Sequence, residues 1–291
     1  MSKLSIPFPN CLLRFSSKLV DNCPLSGIDL FKFNYFLALN ALIVILTLSP
    51  IHSIAQKDIK EIDISEALGD RYYDGVEYLE RNTWIYDTLV KANIAPELAY
   101  AVVFPSLTRY SALKDIMETS AMRTLYVQSG RKYSKYEVGR FQMKPSFAEL
   151  VERNAIKYKL TKSNFKLTNN AKARSERAKR IDTPSWQVEY LILYIKIMDK
   201  RFSHIEWKTP TDKIRFYATA FNVGFTRNER AIKYFMSKRS LMKSSRDLKS
   251  KLRHGDIAAW FYENDGYKFK SNIAIIPPKK DQTEADSASH K

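Results

Sequence analysis

The sequence predicts a mostly α-helical fold, and three observations carry that prediction. Glycine is scarce, with 8 in 291 residues. Valine and isoleucine do not recur in the alternating runs that a half-buried strand needs. Apolar residues instead fall at helical intervals, as in Val188, Leu191, Ile192, Ile195 and Met198. Apolar residues make up 45% of the chain, enough to bury a sizeable core.

The N-terminal 55 residues read as an export signal. An apolar run from Tyr35 to Leu48 is interrupted only by Asn40 and Thr47, with Lys32, Lys18 and Arg14 before it. Pro50 breaks the run, and Ser53-Ile54-Ala55 offers small residues where a signal peptidase reads. The run is shorter than the roughly 20 apolar residues of a bilayer span. The expectation is cleavage after Ala55, export to the periplasm or cell envelope, and no membrane span afterwards. An uncleaved anchor is the alternative, because the leader is long.

Residues 56–74 read as a polar, acidic lead-in, and 75–272 as a single helical domain. A helix is expected from Gly75 to Ala92. Pro96 and Glu97 open the next one, since proline suits a first turn and a carboxylate suits the helix dipole there. Another runs from Tyr110 to Val127 and stops at Gly130. Pro145-Ser146 starts a further helix, and 157–181 reads as a basic surface excursion. Thr183-Pro184 begins a long helix to Arg201. Thr209-Pro210 begins another, reaching Phe221 and capped by Gly224. Thr226 or Asn228 opens the next, and Asp256 to Tyr262 is a short last helix. Residues 273–291, with Pro277 and Pro278, read as a disordered tail.

Charge and cysteine usage narrow the functional classes. The net charge is +17, of which +15 lies beyond residue 55, and it favours an anionic partner. Lys157 to Arg180 and Lys238 to Arg253 are the most basic stretches. Both cysteines, Cys11 and Cys23, fall in the leader, so no disulfide framework or cysteine-zinc site is expected after it. The four histidines are scattered, and neither a metal nor a cofactor is expected.

Three segments carry a resemblance. The first, Ile94 to Ser106, is an apolar helix opened by Pro96. The second is Gly139-Arg140-Phe141-Gln142-Met143-Lys144-Pro145-Ser146, and the third Tyr217-Ala218-Thr219-Ala220-Phe221-Asn222-Val223-Gly224. In this order they resemble the lytic transglycosylases of bacterial peptidoglycan, whose fold is shared with goose-type lysozyme. The second is similar to that family's Gly-Leu-Met-Gln-x-x-Pro-Ser and the third to its Ala-Tyr-Asn-Ala-Gly. The resemblance spans about residues 92–236 and implies a lysozyme-like helical domain. The interval of 36 residues from Ser106 to Gln142 is longer than usual there and implies an extra helical insertion.

The family's chemistry needs one carboxylic acid that protonates the glycosidic oxygen and then, as carboxylate, accepts the proton of the hydroxyl closing a 1,6-anhydro ring. The resemblance places Ser106 where that glutamate stands, and a hydroxyl has no useful acidity near neutral pH. The expectation is therefore an exported peptidoglycan-binding protein with reduced or no cleavage, a candidate pseudoenzyme. Gly139, Phe141, Gln142, Met143, Tyr217, Phe221, Asn222 and Gly224 are its expected glycan-binding residues. Another cell-envelope protein is a further possible partner. The alternative is an active transglycosylase that uses Glu118 as acid, with Glu137 as a second candidate. A basic helical nucleic-acid binder is a third reading, weakened by the export signal and the lack of any nucleic-acid-binding signature.

Overall fold

The computed structural model describes residues 63–238 and 252–276. All of them belong to one compact unit, Glu61–Lys291. The leader, the rest of the second basic stretch and the tail from 277 lie outside the described residues.

The described residues form eleven α-helices of five or more residues: α1 (Ile64–Leu68), α2 (Asp70–Arg81), α3 (Thr83–Lys91), α4 (Pro96–Leu107), α5 (Ala112–Ala121), α6 (Pro145–Lys157), α7 (Ala171–Ile181), α8 (Pro184–Arg201), α9 (Pro210–Val223), α10 (Glu229–Ser237) and α11 (His254–Asn264). Among the described residues the only β feature is an isolated antiparallel bridge between Val138 and Met143.

Helix α4 is the centre. It is apolar on every face, and all twelve of its residues are buried. A helix with no polar side must be surrounded. Helices α9 and α11 pack on it and on each other, and α2 and α3 close the other side. Phe104 stacks on Phe261 of α11 at 4.1 Å between centroids and meets Tyr72 of α2 edge-on at 4.9 Å. Gly255 lets α11 approach α9 closely: a Cβ there would stand 2.8 Å from the Thr219 hydroxyl. This packing fixes where the last turn of α4 delivers Ser106.

The helix starts follow local chemistry. Pro96, Pro145, Pro184 and Pro210 each occupy a first turn. Asn170, Thr209 and Asn228 accept a backbone N–H of the turn that follows. Three stretches differ from the sequence expectation. The helix expected over Gly75–Ala92 is two helices, broken at Asn82, whose amide reaches back to the Tyr78 carbonyl (2.7 Å). The helix after Tyr110 passes into a π turn, Met122–Tyr126, before its last turn ends at Gly130, φ +82°. Helix α7 replaces the second half of the expected surface excursion.

Helix α7 is held by buried charge. Glu152 of α6 is fully buried and accepts from Arg177 (2.9 Å to Nε), Arg180 (2.9 Å) and the Tyr190 hydroxyl (2.6 Å). Arg177, only 2% exposed, also donates to the Tyr126 hydroxyl at 2.8 Å, which in turn donates to Glu149 at 2.9 Å. Each buried charge has partners, as burial in low dielectric requires.

Residues in the stretches read as lead-in and tail also join the core. Ile64, Leu68 and Tyr72 are buried, and so is Ile275, whose carbonyl accepts from Lys213 Nζ at 2.9 Å. By contrast, α5 buries nothing, and Leu113, Ile116 and Met117 stand at least 65% exposed on it. No helix of the described residues is long and apolar enough to cross a membrane.

Candidate functional site

A cavity of about 190 Å³ forms where three chain segments meet. The last turn of α4 contributes Ser106 and, just past it, Arg109. Glu137 and the turn after it contribute Gln142, Met143 and Lys144. The first two turns of α6 add Ser146, Phe147 and Leu150, and the end of α9 adds Phe221, Asn222, Val223, Gly224 and Phe225. Phe147 lies 4.9 Å from Phe221 and 5.5 Å from Phe225 between centroids, so the α6–α9 side is an aromatic wall.

The turn that presents Gln142 is tightly specified. Val138 and Met143 exchange two backbone hydrogen bonds of 3.0 Å, and Gln142 N–H donates to the Gly139 carbonyl. Gly139 has φ +72°, and a Cβ there would stand 1.6 Å from Gln187 Nε2. Gln187 in turn donates to the Val138 and Ile181 carbonyls (3.2 and 2.7 Å) and accepts the Phe141 N–H (3.1 Å). Glycine is therefore demanded twice, by backbone conformation and by the close approach of Gln187. Gln142 itself has φ +49°, a strained value for a residue with a side chain. Its Nε2 donates to the Gly139 carbonyl (2.9 Å), while its Oε1 is buried with no partner.

Glu137 is the carboxylate of the cavity lining. Burial raises its pKa, but Lys114 (3.1 Å), Arg109 and Lys144 (3.2 Å) outweigh that and hold it below the ordinary carboxylate range. It is thus ionised at neutral pH, the opposite of what a general acid requires. His254, at the start of α11, faces the same charges. Burial, helped by Arg109 and Lys144 and opposed by Glu137, pushes its pKa down to about 3, so the ring is neutral, and its Nε2 has no partner.

The positions singled out in the sequence divide as follows. Ser106, Gln142, Met143, Phe221, Asn222 and Gly224 line the one cavity. Gly139 and Phe141 lie on the far side of the turn, beside Trp84 and Gln187, and Phe141 is buried. Tyr217 sits one turn deeper along α9, buried, and its hydroxyl donates to Asp199 at 2.8 Å. Glu118 is outside the cavity lining. Its carboxylate accepts the Glu137 backbone N–H and lies 3.4 Å from Lys114.

Sequence reasoning did not single out Arg109, Phe147 or Phe225. Arg109, three residues after Ser106, returns to the same side of the chain, and that spacing was the available signal. A carboxyl with raised pKa does exist elsewhere. Burial raises Glu97, against hydrogen bonds from Ser271, and it lines a separate hollow with Tyr262, Lys270 and Ser271. Among the described residues no group of three or more His, Cys, Asp or Glu could hold a metal ion. No family model, curated protein or solved structure matches this chain.

Proposed function

We propose that this protein is an exported, lysozyme-like domain that binds peptidoglycan glycan strands and has lost most or all of its ability to cut them. The observation that carries this reading is the meeting of Ser106, Gln142 and Asn222 in one cavity. They come from three segments up to 116 positions apart in the chain, the same segments that resemble transglycosylase motifs. The buried Oε1 of Gln142 is an acceptor suited to the amide N–H of an N-acetyl sugar. The ring of Phe221 gives a sugar an apolar face to rest on.

The weak cleavage follows from the cavity's own groups. A serine hydroxyl cannot protonate a glycosidic oxygen at neutral pH, and Glu137 is held as the anion by three cations. The alternative, an active enzyme with Glu118 as acid, has less support, because that carboxylate is turned to the Glu137 backbone and Lys114. Nucleic-acid binding has the charge in its favour and nothing at this cavity. Co-sedimentation with purified sacculi tests the reading. The protein is expected in the pellet, displaced by soluble glycan fragments and not by duplex DNA. Failure to pellet, or displacement by DNA alone, overturns it.

A further inference from the structure

The cavity's charge is not balanced by its own groups. Glu137 is engaged by Lys114 and Lys144. Arg109 acts on Glu137 only through space: its Nε donates to the Pro105 carbonyl at 3.3 Å, and no carboxylate among the described residues forms an ion pair with its guanidinium. Beside it lies the second unused group, the Oε1 of Gln142, on a residue 6% exposed. A cation in no ion pair and a residue with an unused acceptor line the same hollow, where Arg109 and Lys144 outnumber the one carboxylate, Glu137. At about 190 Å³ it is below the ~300–1,000 Å³ of a site enclosing a whole ligand, so it takes one end of one.

We propose that this cavity takes a free carboxylate on Arg109 together with an amide N–H on Gln142 Oε1, the chemistry of an N-acylated sugar acid. Resting on the glycan reading above, it specifies the strand. The matching unit is a muramyl residue whose lactyl carboxylate is free, in glycan stripped of its stem peptides. In intact wall that carboxyl is consumed in an amide to the peptide and carries no charge. A guanidinium offers two parallel N–H donors to a carboxylate and loses that partner when the acid becomes an amide. The domain therefore discriminates between denuded and peptide-bearing strands, through a charge standing beside the position where a cutting acid would be.

Isothermal titration of the intact protein tests this with two probes: amidase-stripped glycan strands, and the same strands with their lactyl carboxylates converted to methylamides. The wild-type protein is expected to bind the stripped strands about tenfold more tightly, the value of one charge-assisted hydrogen-bonded pair. In Arg109→Gln the ratio is expected to fall to near one, and in Arg109→Lys to lie between. Thermal unfolding reports whether the variants fold, and the wild-type ratio stands without them. Equal wild-type affinity for the two probes overturns the carboxylate assignment and leaves the glycan reading intact. No binding of either probe overturns both. Retention of the full ratio in a folded Arg109→Gln assigns the discrimination to other groups and refutes the role of Arg109.

Discussion

His254 should make the stability of this domain depend on pH in a calculable way. In the folded chain the ring is neutral, with its pKa pushed down from 6.5 to about 3 by burial and by Arg109 and Lys144, against Glu137. In the unfolded chain it titrates near 6.5. Between these values the unfolded state binds the extra proton, so stability rises with pH and is complete above about 6.5. The full difference, from 6.5 to about 3 at about 1.36 kcal/mol per pH unit, is about 5 kcal/mol and is reached only below pH 3. Between pH 7 and pH 5 the loss is about 2 kcal/mol, set by the unfolded value alone while the folded one stays well below 5. Glu97 works in the other direction, because its raised pKa lets the folded state bind a proton as pH falls. Comparison with His254→Leu removes that contribution. Urea unfolding followed by circular dichroism at both pH values, on both proteins, gives the answer. The wild-type protein is expected to lose about 2 kcal/mol more than His254→Leu. An equal loss in the two would refute an imidazole kept neutral in the folded chain beside Arg109 and Lys144.

Two further substitutions probe the framework that shapes the site. Gly139→Ala must displace Gln187, whose Nε2 lies 1.6 Å from the new Cβ, and must hold φ near +72°; we expect a loss of about 3 kcal/mol in chemical denaturation. Gly224→Ala is the contrast, since its φ is +105° but nothing lies nearer than 3.9 Å, and a loss of only about 1 kcal/mol is expected. Glu152→Ala strips Arg177 and Arg180 of their buried partner and is expected to cost about 3–5 kcal/mol, read as a fall in thermal midpoint; a near-neutral result would show the cluster to be solvated.

The helical framework was legible wherever a local rule applied. Thr183-Pro184 and Thr209-Pro210 mark true starts, and Gly130 and Gly224 stand at true ends with positive φ. What escaped was set by distant partners. The charges of α7 read as a solvated run because Glu149 and Glu152, which bury Arg177, come from another helix. The break at Asn82 depends on one side-chain amide and leaves the apolar spacing almost undisturbed. At the cavity the same division holds. Ser106, Gln142 and Asn222 could be picked out by motif, but Arg109 belongs to no motif and gains meaning only from its neighbours in space. Tyr217 shows the converse: its place in a motif says nothing of depth, and it is spent on Asp199.

Whether the proposed glycan groove lacks a working acid is decided by mass spectrometry of purified peptidoglycan incubated with the purified protein at neutral pH. Strand lengths are expected to stay unchanged and no 1,6-anhydro ends to accumulate, under conditions where the protein pellets with the wall. Anhydro-ended fragments that form with wild-type protein and vanish in Glu118→Gln or Glu137→Gln would contradict it and identify the acid.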